Sequence, residues 1–257
     1  MTLRALVTND DGIDFEGIRH LAMAARDAGL DVLVAAPAHE ASGSGAALQA
    51  VQSEGKVLID ERALEGLDGV PCYAVDASPA FISRLAIRGA FGDRPDVVIA
   101  GINRGANTGR AVVHSGTVGA AVSGYTSGVR GLAVSLRGDE PTHWATATAV
   151  AGRVIPYFIN IAEPCVLNLN VPDLELDEVL GLRAARLAAF GTVQTTVIES
   201  GLGYVKIGLG ETGHEPEPDS DVALLTAGYA TLTYVVPMCE RPLTGLPELD
   251  EVMQTAG

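Results

Sequence analysis

The sequence predicts an α/β fold: a doubly wound, mostly parallel (Rossmann-like) sheet with a β-rich C-terminal arm. Three observations predict it. Short apolar runs recur at residues 3–8, 32–36, 97–100, 132–136 and 166–171, as strands buried on both faces do. Segments with apolar residues at helical spacing separate them, and strand–helix–strand alternation builds a parallel sheet with right-handed crossovers. After residue 172 the rhythm changes to the alternation of antiparallel strands.

The first strand, residues 3–8, runs into Asn9-Asp10-Asp11-Gly12. Ile18, Leu21, Ala22 and Ala25 then recur at helical spacing up to Gly29, and the second strand is stopped by Pro37. Residues 38–56, rich in Ala, Gly and Ser, predict a long functional loop. Two short strands are expected over 57–75 around a turn near 66–69. A helix over 79–90 follows, with Ser78 as N-cap and Pro79 at its first position. The strand at 97–100 leads into the glycine-rich 101–109. A helix over 118–126, the strand at 132–136, a long helix over 142–159 and the strand at 166–171 complete the core. Residues 193–198, 204–208 and 229–235 read as antiparallel strands, with an acidic, proline-containing loop at 211–221 between the last two. Residues 1–172 are therefore expected to form the core with the site. Residues 173–240 are expected to form a β-rich extension and oligomerisation arm, with a homodimer or homotetramer as the product. Residues 241–257 are expected to be a loosely held tail.

Composition narrows the function. The chain has 257 residues, 47% of them hydrophobic, enough for one large α/β domain. A net charge of −15 argues against nucleic-acid binding through a basic face. It also repels a phosphorylated small molecule, so phosphate chemistry here requires a local cation, most simply a metal. Cys72, Cys165 and Cys239 are odd in number and far apart, the pattern of reduced, cytoplasmic, buried thiols. No leader pattern and no apolar stretch of about 18 residues is present, so no membrane partner is expected.

Ligands of an open α/β sheet bind beyond the C-terminal ends of its strands. Three such ends carry polar clusters: Asn9, Asp10 and Asp11; His39, Glu40 and Ser42; Asn103, Arg104 and Asn107. Adjacent carboxylates repel unless a cation offsets them. An all-oxygen set containing Ser and Asn suits Mg²⁺ or Mn²⁺ better than Zn²⁺. The competing reading is that the two aspartates cap the following helix. Ser115-Gly116-Thr117 precedes a helix and reads either as a phosphate cradle or as an ordinary N-cap. His114 and His39 are acid–base candidates by position. A receiver domain also carries acidic residues after its first strand, but the later strand ends here present Asn103 and Ser135 rather than a phospho-accepting Asp.

These residues resemble the SurE family of 5′/3′-nucleotidases. The resemblance lies in Val7-Thr8-Asn9-Asp10-Asp11-Gly12-Ile13, in Ala36-Pro37 followed by Ser42-Gly43, and in Gly101-Ile102-Asn103-Arg104-Gly105-Ala106-Asn107-Thr108-Gly109. It continues in His114-Ser115-Gly116-Thr117-Val118-Gly119-Ala120-Ala121 and, more weakly, in Leu167-Asn168-Leu169-Asn170-Val171-Pro172, Ser220-Asp221 and Gly228-Tyr229. It implies a metal-dependent phosphomonoesterase with one Mg²⁺ or Mn²⁺ on Asp10, Asp11, Ser42 and Asn103. Asp10, Asp11 and Asn103 would serve catalysis. Asn9, Arg104, Asn107, Ser115, Gly116 and Thr117 would surround the phosphate. The substrate would be a nucleoside monophosphate or a related small phosphate ester. Polar positions of the family pattern are Ala38, Ala46, Phe81 and Ala111 here. This raises the alternatives of a phosphatase with altered specificity, acting on a specialised metabolite phosphate, and of a non-catalytic binding paralogue.

Overall fold

The computed structural model describes residues 2–189, 193–211 and 215–239. In chain order they form β1 (Arg4–Thr8), α1 (Glu16–Asp27), β2 (Asp31–Pro37), β3 (Gln52–Ser53), β4 (Lys56–Val57), β5 (Ile59–Glu61), β6 (Cys72–Val75) and α2 (Pro79–Ile87). Then come β7 (Val97–Arg104), a 3₁₀ turn (Gly109–His114), α3 (Gly116–Tyr125), β8 (Arg130–Leu136), α4 (Trp144–Phe158) and β9 (Val166–Val171). The chain continues through β10 (Leu182–Ala184), β11 (Val193–Gly201), β12 (Tyr204–Glu211), α5 (Asp221–Thr226) and β13 (Ala230–Val235).

Nine strands pair in the order β10-β13-β9-β8-β7-β1-β2-β6-β5. The run from β9 to β6 is parallel throughout, as the repeated strand–helix–strand pattern requires. Strands β1, β2, β7, β8 and β9 are buried almost end to end. This is why they read as continuous apolar runs rather than alternating ones. The fully buried Ile18, Leu21, Ala151 and Phe158 of α1 and α4 cover one face of the sheet. Ile82 and Ala86 of α2, with Val118 and Ala121 of α3, cover the other. The strand order reverses between β1 and its neighbours β7 and β2. The switch point where such sheets bind ligands therefore lies at the ends of β1 and β7.

The structure differs from the sequence expectation in several places, among them the following. Ser78 sits at the N-cap of α2 but makes no capping bond. Its hydroxyl instead donates to the Ala47 carbonyl at 2.5 Å and accepts from Gln49 N–H at 3.2 Å, tying the long loop down. The 229–235 run, expected in the β-rich extension, joins the main sheet. It is β13, inserted antiparallel beside β9 with Thr231 opposite Asn170 and Thr233 opposite Asn168. Its backbone had an open sheet edge to pair with, and a buried edge left unpaired is costly. Helix α5, capped by the Ser220 hydroxyl on Ala223 N–H, was not expected. The expected tail, 241–257, and residues 212–214 of the acidic loop lie outside the described residues.

Strands β11 and β12 form a hairpin of their own. They pair antiparallel, from Val193 opposite Glu211 to Gly201 opposite Tyr204, in a sheet separate from the main one. Val197, Ile198, Val205 and Ile207 are each about 60% exposed or more.

Candidate active site

The site begins in the tight turn after β1. Gly12 takes φ +102°, a conformation open chiefly to glycine. The Asn9 amide closes the turn from below, donating to the Gly12 carbonyl at 2.8 Å and accepting its N–H at 3.2 Å. Asn9, expected beside the phosphate, is fully buried and its side-chain amide is engaged in this turn. Helix α1 starts only at Glu16, behind Phe15, with no side-chain cap. Neither aspartate caps it, which removes the competing reading of Asp10 and Asp11.

Asp10 points toward the N-terminus of α3. Thr117 donates its hydroxyl to Asp10 Oδ1. Burial pushes the Asp10 carboxyl above its ordinary range, while the Thr117 hydroxyl and the Gly116 and Thr117 N–H groups oppose that shift. The free amides of the helix start therefore act first on Asp10. Thr117, expected at a phosphate, is fully buried and serves Asp10. Ser115 caps α3, accepting Val118 N–H at 3.1 Å. Gly116 faces Asp10 in the turn after β1. A methyl group there would stand 2.7 Å from both Asp10 Oδ2 and Ser44 Oγ.

Asp11 is also buried, its side chain 4% exposed. Its Oδ2 accepts the Arg104 N–H at 3.2 Å, and its Oδ1 lies 4.0 Å from Arg104 Nε. Burial raises its carboxyl to about 7, and the neighbouring Asp10 and Glu40 charges add to that rise. The Arg104 backbone and guanidinium pull the other way. The Arg104 guanidinium rests 5.4 Å from the Phe15 ring centre and 3.6 Å from Glu40 Oε1.

Strand β7 delivers Asn103 and Arg104 through a shift in its register against β8 between Ala100 and Asn103. The Asn103 amide donates to the carbonyls of Arg104 and Gly105 at 3.1 and 2.7 Å. Both bonds use Nδ2, which leaves Oδ1 as the acceptor end of the side chain. The loop after β2 crosses over β1, with Ala41 N–H on the Asp10 carbonyl at 2.7 Å and Gly45 N–H on the His114 carbonyl at 3.1 Å. It brings in Ser42, which is exposed and donates to Glu40 Oε1 at 2.8 Å. It also brings Ser44, whose buried hydroxyl has no partner. Beside this loop opens a cleft of about 840 Å³ lined by Glu40, Ser42, Leu48, Gln49, Val51 and Asp76 among others. Ala38 lines it, but Ala46, Phe81 and Ala111 do not. His39 lines the same cleft, while His114 is exposed at the end of the 3₁₀ turn.

Asn107 is held from beneath. Its N–H donates to Asn170 Oδ1 at 2.8 Å. Its carbonyl accepts the side-chain amides of Asn168 and Asn170 at 2.8 and 2.9 Å. Its own amide donates to Ser135 Oγ at 2.9 Å. Two residues on, Gly109 N–H donates at 2.8 Å to Asp221, a fully buried carboxylate that also accepts from Ala188 and Val222. Sequence reasoning gave Ser44, Ser135 and this pair of asparagines no role in the site. The legible signal was Asn168 and Asn170 at alternate positions of an otherwise apolar strand, where polar side chains need a reason to be buried.

A sequence profile for the family described as survival protein SurE matches residues 5–192. A 5′-nucleotidase SurE of Aeromonas hydrophila is 36% identical over 236 residues, covering 90% of this chain and 91% of that protein. A 5′/3′-nucleotidase SurE of Photorhabdus laumondii is 33% identical over 236 residues, covering 90% and 89%. The crystal structure of the SurE protein from Aquifex aeolicus aligns with a TM-score of 0.75 at 26% identity, over 98% of each chain. With this fold, the two buried aspartates at its switch point and these relatives, the chain belongs to the survival protein SurE family.

Proposed function

We propose that this protein hydrolyses phosphate monoesters, nucleoside 5′- and 3′-monophosphates among them, using one Mg²⁺ or Mn²⁺ held by Asp10, Asp11, Ser42 and Asn103. The observation that carries this reading is the pair of buried carboxylates, both raised by burial. Such a pair is stable in its charged form only beside a cation. The donor chemistry fits a hard ion. Among the described residues no group of three or more His, Cys, Asp or Glu converges, so neutral oxygens would complete the set. The partnerless Ser44 hydroxyl beside Asp10 is one more oxygen available there. When bound, the ion would supply positive charge against the phosphoryl oxygens and lower the pKa of water.

The chain's own groups do the rest. Thr117 and the first N–H groups of α3 fix the position of Asp10 and partly offset the upward push of burial on its carboxyl. Asp11 Oδ1, whose partner oxygen is occupied by Arg104 N–H, is free to orient water and take its proton. The Arg104 guanidinium, steadied by Phe15 and Glu40, adds charge where the phosphoryl group becomes more negative. Asn107 presents its Oδ1 and one amide hydrogen on the opposite side. The cleft beside Ser42, with Leu48 and Val51 as apolar wall and Gln49 and Asp76 as polar groups, has the volume of a small-molecule site and accommodates the nucleoside. Phosphate release from 5′- and 3′-nucleoside monophosphates should need Mn²⁺ or Mg²⁺ and stop in excess EDTA. Release undiminished by EDTA would overturn the metal assignment, and no release from any ester would overturn the enzymatic one.

The same reading places the protein in the cytoplasm as a homo-oligomer. Its cysteines are free thiols, Cys72 and Cys165 buried, and no helix among the described residues is long and apolar enough to cross a membrane. A lone two-stranded hairpin is marginal in water, and the exposed apolar side chains of β11 and β12 call for a partner surface. A second copy of the chain supplies it. Replacing 193–211 by a short Gly-Ser linker leaves β13 in place and should convert the oligomer to monomer in light scattering. A full-length chain that is already monomeric at micromolar concentration would rule the arm out.

A further inference from the structure

We propose that Asn170, assisted by Asn168, is a positioning residue that fixes the Gly105–Gly109 loop and thereby aims Asn107 at the phosphate. The inference rests on the phosphate-side role of that loop proposed above. Both asparagines are fully buried in β9, between apolar Leu167, Leu169 and Val171.

The Asn170 amide treats the Asn107 backbone as a neighbouring strand would. Its Oδ1 accepts the N–H at 2.8 Å and its Nδ2 donates to the carbonyl at 2.9 Å. Asn168 adds a second donor to the same carbonyl at 2.8 Å. Both main-chain polar groups of Asn107 are thus satisfied by side chains from β9. Ser135 at the end of β8 takes one hydrogen of the Asn107 amide. What remains free on Asn107 is Oδ1 and the other amide hydrogen.

The arrangement has a counterpart in what the fold leaves unsatisfied. Asn168 Oδ1 and the hydroxyls of Thr231 and Thr233 on the adjoining β13 are buried without partners. An unsatisfied buried polar group is destabilising, and apolar residues of similar shape would serve the sheet better. The loop they hold explains the polar side chains of Asn168 and Asn170. That loop crosses the sheet end with no ladder of its own. Misplacing a binding group by about an ångström costs on the order of a hundredfold in rate.

The test uses the full-length chain with Mn²⁺ and three variants. Asn170→Asp keeps the shape and one acceptor but loses the donor to the Asn107 carbonyl. Asn170→Ala loses both. Thr231→Val changes a residue opposite Asn170 in the same buried layer without touching the loop, and serves as the control for folding. Both Asn170 variants should exchange the Asn107 and Gly109 amide protons at least tenfold faster. They should weaken inhibition by inorganic phosphate at least tenfold and lower kcat/KM by ten- to a hundredfold, with the Mn²⁺ Kd within twofold of wild type. Thr231→Val should match wild type in all four. If Asn170→Ala does not fold, Asn170→Asp decides alone. Unchanged loop exchange and phosphate inhibition in Asn170→Asp would overturn the proposal, as would equal losses in Thr231→Val. If wild type releases no phosphate from any ester, the functional reading fails, and the exchange rates still decide whether Asn170 holds the loop.

Discussion

Replacing Asp11 by asparagine is expected to lower kcat/KM by about a thousandfold while raising the melting temperature of the metal-free protein at pH 7. The loss follows from removing a carboxylate that would hold the ion, since metal assistance supplies several kcal/mol of transition-state stabilisation and each 1.4 kcal/mol is about tenfold in rate. The gain in stability follows from burial. The Asp11 carboxyl is raised from 3.8 to about 7 in the folded chain, so the folded state prefers it protonated. A group raised in this way contributes stability that is complete below its unfolded pKa and is lost as pH rises through its folded one. In EDTA, wild-type stability should therefore fall between about pH 4 and pH 7, and the fall should be smaller in Asp11→Asn. Mn²⁺ should restore wild type at pH 7 and leave the variant unchanged. Thermal melts across pH, with and without Mn²⁺, measure both effects. A metal-free variant no more stable than wild type at pH 7 would show that Asp11 carries no burial penalty.

Gly116→Ala is expected to lower kcat/KM by ten- to a hundredfold and to destabilise the fold by about 1–3 kcal/mol, the usual range for overpacking. In a helix the same substitution ordinarily stabilises by about 0.5–1 kcal/mol. The reversal comes from the contacts. The added methyl would meet Asp10 Oδ2 and Ser44 Oγ at 2.7 Å and Asp10 Cβ at 2.8 Å. No hydrogen bond holds the Ser44 hydroxyl in place, whereas Thr117 grips the other oxygen of Asp10. The carboxylate would therefore be pushed off its position. Gly152 in α4 is the matched control, for nothing lies within 4 Å of a methyl placed there. Gly152→Ala should stabilise the protein by up to about 1 kcal/mol and leave turnover alone. Equal behaviour of the two variants would mean that the Gly116 contact is without consequence.

The sequence by itself determined the parallel core. Burial on both faces imposes continuous apolar runs on β1, β2, β7, β8 and β9, and that pattern is one-dimensional. It also determined where polar residues gather, because strand ends in such a sheet share one edge and Asp10, Asp11 and Asn103 stand at strand ends. Only the tertiary structure decided which of the gathered residues spend their polar groups on holding the others. Asn9, Ser115 and Thr117 are as polar as Asn107 or Ser42, yet they turn to Gly12, Val118 and Asp10. Local spacing does not encode the direction of a side chain whose partner lies 107 residues away, as with Thr117 and Asp10. The place of β13 was undecided for the same reason. An alternating strand pairs equally well in an arm or at a sheet edge, and the open edge of β9 settled it. Asn168 and Asn170 mark the limit most clearly, since their partner is the backbone of Asn107. A main-chain N–H and carbonyl are present at nearly every residue, so no residue type announces which of them a buried amide will hold.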